Sequence, residues 1–271
     1  VARYVVYSNQ KLGSEGPQVF AIQESLPRWA LSDFLKTDGI FGNQTQAAVK
    51  AFQQGCGLSV DGVVGVTTAQ ALGVWADLTK GFDASHWNTI LWDAIPNDYT
   101  FCNLKATEGL TYEDSSFRSN VVSAARLELS IGAYHFTKFG NSPYMEAAWF
   151  LETVGSYKSI ERLYLDLEYR MSGLTSEAIW KWVSSFLAVI SGAKPNCRVG
   201  VYTSKNYMSE VGLQKFRAMS QYDLWAADWG NQPYVYPWES WDTWQYTSKG
   251  SVDFCEGDLD LNYRVSGASS H

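Results

Sequence analysis

Strand-like and helical runs alternate from residue 79 onward, and no other feature limits the available folds as much. The strand-like runs read KGFDAS, FCNLKAT, SIGAYHF, LYLDLE, RVGVYTS and DLWAADW, then TWQYTS and DLDLNYR. Between the fourth and fifth lies SEAIWKWVSSFLAVI, whose Ile179, Trp182, Val183, Phe186 and Ile190 fall on one helical stripe. FRSNVVSAARL, YMEAAWFLETV and NYMSEVGLQKFRAM fill other gaps. Strand–helix–strand repetition predicts a parallel sheet with helices outside, closed into a barrel. After DLWAADW the helices stop. GNQPYVYPWESW is Pro- and aromatic-rich, and KGSVDFCEG is too short for a crossover helix, so the last strands are predicted to pair as a hairpin. The expected barrel is α/β with an incomplete set of helices.

In RLYLDLEYR (162–170) successive side chains of a strand alternate between faces. Leu163, Leu165 and Leu167 share an apolar face. Tyr164, Asp166 and Glu168 share the other, where burying two acids is costly unless something satisfies or uses them. Barrel active sites gather at the C-terminal ends of strands. Asp83 ends the first run, Glu108 the second, Asp166 and Glu168 the fourth, and Asp260 lies in the last with Leu259 and Leu261 on its opposite face. Lys105, Tyr134, His135, Tyr202, Trp225 and Gln245 stand on neighbouring runs. Acids converging on one mouth repel one another, so a function explains them better than chance salt bridges. There is no G-x-S-x-G, P-loop or H-E-x-x-H. Paired carboxylates suit glycoside hydrolysis, one protonating the leaving oxygen and the other supporting the oxocarbenium-like centre.

The first 75 or so residues differ. DGIFGNQT (38–45) and DGVVGVTT (61–68) match as D-G-x-x-G-x-x-T, 23 residues apart, each followed by a short helical pattern. Their glycines suit turns of positive φ, and Asn43 and Thr67 suit helix caps. Val19, Ile22, Leu26 and Trp29 have helical spacing upstream. A small all-α three-helix unit is expected, a binding module rather than an enzyme.

Composition excludes several classes. The chain of 271 residues carries a formal net charge of −7 with no basic block, so neither nucleic acid nor an anionic membrane surface is an expected partner. No apolar run reaches membrane-spanning length. Cys56, Cys102, Cys197 and Cys255 are widely spaced and the histidines scattered, so neither a metal site nor a cofactor is expected and free thiols are. Of 12 tryptophans, Trp225, Trp229, Trp238, Trp241 and Trp244 cluster, which fits either core packing or a wall on which sugars stack.

Residues 15–74 resemble the three-helix peptidoglycan-binding domains, both repeats occurring with a helix between them; residues 1–14 lie outside the match. KGFDASHWN, LKATEG, IGAYHF, YLDLE, GVYTS, LWAADW, WQYTSKG and DLDLN run in the order of the motifs of the glycoside hydrolase family 25 lysozymes, over about residues 80–265. That resemblance implies a (β/α)5β3 barrel and hydrolysis of the β-1,4 bond between N-acetylmuramic acid and N-acetylglucosamine. It implies Glu168 as general acid, Asp166 as its partner, and Asp83 and Asp260 as completing the catalytic groove. Glu108, Lys105, Tyr134, His135, Tyr202, Trp225 and Gln245 are the expected substrate-binding residues. One departure is LWAADWG, where many relatives have a tyrosine near Trp229.

The expected division is a wall-binding domain over 1–76 and a catalytic barrel over 79–267, with bacterial peptidoglycan as partner. VARYVVYSNQ lacks the pattern of a secretory leader. Together with the resemblance, this suggests a phage endolysin made in the cytoplasm and acting on the wall after release. A chitinase-like glycosidase and a non-catalytic wall lectin are the alternatives. The short chain and the wall-binding module argue against the first, the intact acid set against the second.

Overall fold

A computed structural model describes residues 4–30, 35–155, 157–230 and 232–266. Two compact units divide the chain, one running up to Leu78 and including Val265, the other spanning Thr79–Arg264.

The first unit holds α1 (Pro17–Ser25), α2 (Asn43–Gly55) and α3 (Val66–Ala71) around a core that includes Val19, Ile22, Phe41, Val49, Phe52 and Val64. The helical spacing upstream reaches Trp29, but α1 stops at Ser25: Pro27 lacks an N–H, and Leu26 before it is extended. Trp29 sits instead in a 3-10 turn, 60% exposed, its ring stacked on Phe52 at 5.9 Å. The N-caps also depart from expectation. They are Gly42 and Gly65, without side-chain caps, and Asn43 and Thr67 already belong to the helices.

The two repeats are held by a device that their shared letters do not reveal. Buried Gln23 donates from Nε2 to Asp38 Oδ1, Ile40 O and Thr45 Oγ1, and its Oε1 accepts Gly39 N–H. Buried Gln53 does the same to Asp61 Oδ1, Val63 O, Thr68 Oγ1 and Gly62 N–H. Gly39 and Gly62 have φ of 76° and 72°, so the loop's backbone can turn onto the glutamine without a Cβ penalty. Residues 4–14 also belong to this unit: Val6 pairs with Val74 and Ala76, and Gln10 with Val64, through backbone hydrogen bonds.

The second unit is a closed barrel of β1 (Leu78–Ala84), β2 (Tyr99–Glu108), β3 (Ser130–Phe136), β4 (Ile160–Asp166), β5 (Arg198–Ser204), β6 (Asp223–Ala227), β7 (Thr243–Gly250) and β8 (Leu259–Val265), neighbours in sequence being neighbours in the sheet and β8 meeting β1. β1 to β7 run parallel. β8 returns antiparallel to β7, the hairpin the sequence suggests. Helices α4 (Phe117–Arg126), α5 (Pro143–Val154), α6 (Ser176–Ala193) and α7 (Lys205–Glu210) follow β2, β3, β4 and β5, while after β1 a 3-10 turn at Trp92–Ala94 takes the helix's place. All five stripe residues of α6 are buried.

Side chains fill the barrel. The Tyr164 ring occupies its middle, and a Cβ on Gly132 or Gly200 would come within 3.2 or 2.7 Å of that ring. Below it Arg264 lies 3.7 Å over the Phe101 ring and donates to Asn103 Oδ1, while Arg162 pairs with Asp242 at 2.9 Å. Leu163, Leu165 and Leu167, on the opposite face of β4 from Tyr164 and Asp166, are buried as their spacing requires. The barrel thus has a sealed floor and one working end.

Candidate active site

Asp166 is the last residue of β4, 6% exposed. Its Oδ1 is buried without a hydrogen-bond partner. Burial, then the charge of Glu168, push its carboxyl well above the usual range, and Lys105 pulls the other way. Glu168 stands just beyond the strand rather than within it, reaching solvent. Surrounding protein and the charge of Asp260 raise its carboxyl as well. Two acids both favouring the protonated form, one of them with an open acceptor, suit a site that gives a proton to one atom and accepts a hydrogen bond from another.

On the opposite side Asp83, at the end of β1, takes two amide donors on one oxygen. Gln245 Nε2 lies 3.0 Å and Asn262 Nδ2 2.7 Å from Oδ2. Both amides are oriented. Tyr202 Oη and Trp229 Nε1 donate to Gln245 Oε1, and Trp225 Nε1 donates to Asn262 Oδ1. Burial, then the charge of Asp260, raise Asp83 well above its ordinary value, and burial raises Asp260 beside it. Glu108, at the end of β2, is clasped by Lys105 at 2.9 Å and Lys138 at 2.5 Å. Asp166 senses Glu168, Asp83 and Glu108, and Glu168 senses Asp260, so all five acids converge.

Other expected contacts fall differently. His135 does not reach the mouth. Tyr134 and His135 are consecutive on β3, so only one can face inward; Tyr134 does, and fully buried His135 turns toward the helix layer, bonded to Thr107 and Glu146. Trp225 is 1% exposed and offers no face to a sugar; it forms the floor beneath Tyr134 and Tyr202. Gln245, 2% exposed, orients Asp83 instead of meeting solvent. Of the five clustered tryptophans, Trp225, Trp238, Trp241 and Trp244 are buried, and Trp229 alone of that cluster is 64% exposed. Trp87, three residues after β1 ends, is 82% exposed and was not singled out by its sequence context. Asn262 was missed as a site residue, although its place two residues after Asp260 on β8 puts both on the inward face.

A closed barrel with carboxylates gathered where its parallel strands end has the architecture of a glycoside hydrolase. Residues 82–254 match the family described as glycosyl hydrolases family 25, and residues 15–72 match the putative peptidoglycan binding domain. The chain belongs to glycosyl hydrolases family 25. It is 29% identical over 196 residues to lysozyme M1 of Streptomyces globisporus, covering 68% of this chain and 66% of that one. It is 30% identical over 160 residues to the autolytic lysozyme of Clostridium acetobutylicum, covering 59% of this chain and 47% of that one. It therefore spans less than two thirds of either relative's length. Among solved structures, the bacterial lysozyme from Streptomyces coelicolor superposes with a TM-score of 0.63 at 28% identity, over 70% of this chain and 93% of that one.

Proposed function

We propose that this chain hydrolyses the β-1,4 bond between N-acetylmuramic acid and N-acetylglucosamine in bacterial peptidoglycan, as a phage endolysin reaching the wall after release. The observation that carries the reading is the buried, unpartnered Oδ1 of Asp166 beside Glu168. An acetamido N–H supplies the hydrogen bond that this oxygen lacks, and every sugar of the glycan bears one. Glu168 protonates the leaving oxygen. Asp166 steadies the acetamido group as its carbonyl oxygen attacks the anomeric carbon and the glycosidic C–O bond breaks; water, giving a proton to Glu168, then opens the cyclic intermediate with net retention. Asp83 and Asp260 line the far side of the groove, and Glu108 with Lys105, Tyr134 and Tyr202 contacts the glycan.

The wall-binding role of residues 1–76 and the catalytic role of 79–267 belong to the same proposal. Holding the enzyme on an insoluble substrate raises its effective concentration there. The test is digestion of purified cell walls with mass spectrometry of the products. New reducing N-acetylmuramic acid ends support the reading. Reducing N-acetylglucosamine ends, or cleavage of chitin with intact walls, would overturn it. Early proton NMR should find the β anomer first.

A further inference from the structure

β2 carries an irregularity at the mouth. Lys105 pairs with Tyr134 of β3, yet Thr107 pairs with His135, so Ala106 is an extra residue bulged out of the ladder. The bulge changes which side chains face inward. Without it Lys105 and Thr107 would share a face; with it Lys105 and Glu108 both stand in the mouth, 2.9 Å apart, and Thr107 turns outward, fully buried. There Thr107 Oγ1 lies 2.8 Å from His135 Nδ1, and His135 Nε2 lies 2.8 Å from Glu146 Oε2 on α5. Asn141 donates to the other Glu146 oxygen at 3.0 Å, and Trp182 of α6 donates to Asn141 O at 2.7 Å. Burial holds the imidazole below its ordinary pKa, against the pull of Glu146. Neutral His135 then donates from Nε2 to Glu146 and accepts a hydrogen bond from the Thr107 hydroxyl at Nδ1.

We infer that the string Thr107–His135–Glu146 is a positioning device: it locks the bulge at Ala106 and so fixes where Lys105 stands beside the acids of β4. The inference rests on the proposed roles of Asp166 and Glu168. Apolar side chains would fill the space between barrel wall and helices without desolvating a carboxylate and an imidazole. What they would not supply is a directional tie that distinguishes a bulged strand from a regular one, and a regular strand would turn Glu108 out of the mouth. Lys105 is the cation that opposes the raised carboxyls of both Asp166 and Glu168. The titratable groups around it are Glu108 on its own strand, Tyr112 on the hairpin that follows, Tyr134 and Lys138 from β3 and just beyond, and Asp166 and Glu168. His135 is thus a positioning residue acting from behind the wall.

The test is a double-mutant cycle in the full chain. Thr107→Val removes the hydroxyl at nearly constant volume, and Thr107→Ser keeps it. Thr107→Val should lower kcat on soluble peptidoglycan fragments by about tenfold with KM within about twofold, and Thr107→Ser should recover most of the loss. In a Lys105→Met background Thr107→Val should add less than about twofold, because its effect runs through Lys105. By carbon NMR, the Asp166 carboxyl should titrate at higher pH in Thr107→Val, as in Lys105→Met. Unchanged kcat, full additivity with Lys105→Met, or a serine variant as impaired as the valine one would each overturn the inference. Should Thr107→Val not fold, Glu146→Gln enters the same cycle and is judged by the same outcomes. Wild-type inactivity on peptidoglycan would overturn the proposed function alone, and the carboxyl titration would then decide the positioning role.

Discussion

Asn262 donates its amide N–H to Asp83 at 2.7 Å while its own carbonyl accepts the Trp225 indole N–H at 2.7 Å. A carboxamide has one donor end and one acceptor end, so the indole fixes which end meets the acid. Asn262→Asp would place a second carboxylate against Asp83, and Asn262→Leu would strand both partners. Either should lower kcat by about 10²-fold, the scale of losing one oriented donor in an active site, and asparagine should be irreplaceable by its charged isostere. Steady-state kinetics on wall fragments checks this, with near-UV circular dichroism to follow Trp225.

Glu168→Gln keeps the shape of the side chain and removes its proton. Turnover should fall by about 10²–10⁴, while the melting temperature hardly moves, since the residue lies beyond β4 in contact with solvent. More than a tenth of wild-type activity would exclude it as the acid.

Asp166→Asn should separate activity from stability. The folded-state carboxyl is raised by burial and by Glu168. A raised acid favours the fold below its unfolded pKa of about 3.9 and loses that advantage as pH climbs through the folded value. At pH 7 the asparagine variant, which has no charge to bury, should therefore be more stable than wild type, by about 1–3 kcal/mol, the scale of the penalty on a buried group without its hydrogen bond. That penalty is larger for a charged group than for an amide. Near pH 3 the difference should shrink. Urea titrations at both values measure it, and equal stability at pH 7 would mean the acid is satisfied in the free protein.

The helical unit should answer pH the other way. Asp38 and Asp61 are lowered, chiefly by the backbone N–H groups of Ile40 and Val63 and then by Gln23 and Gln53. Their contribution is present above about 3.9 and lost as pH falls through the folded values. Gln23→Leu or Gln53→Leu removes a hub that serves a glycine N–H, a backbone carbonyl, a threonine and an aspartate, and should cost about 2–3 kcal/mol. Calorimetry across pH 3–7 should find the transition affected by these variants weakening in acid.

Much of this was legible in the sequence, for local reasons. Alternation over RLYLDLEYR separates the leucines from Asp166, and the stripe of α6 and the helix-free last strands follow from short-range periodicity and proline chemistry. The failures also have physical causes. A regular period of two cannot anticipate the extra residue at Ala106, nor did the motif IGAYHF say whether Tyr134 or His135 turns inward. Gln23 and Gln53 lie outside the octapeptides they serve, 15 and 8 residues before the aspartates they bind. Trp29 kept its spacing but lost its helix to Pro27.

The reversed direction of β8 has a consequence in time. Because that strand runs against the other seven, Asp260 and Asn262 come near its start, where it passes the ends of β1 and β7. Asn262 and Asp83 are 179 residues apart in sequence. A ribosome will have made β1 through β7 before Asp260 and Asn262 emerge, and contacts of such separation form late. A chain that has not reached β8 thus lacks the acid pair of Asp83 and Asp260. Synthesis of the last strand itself arms the groove.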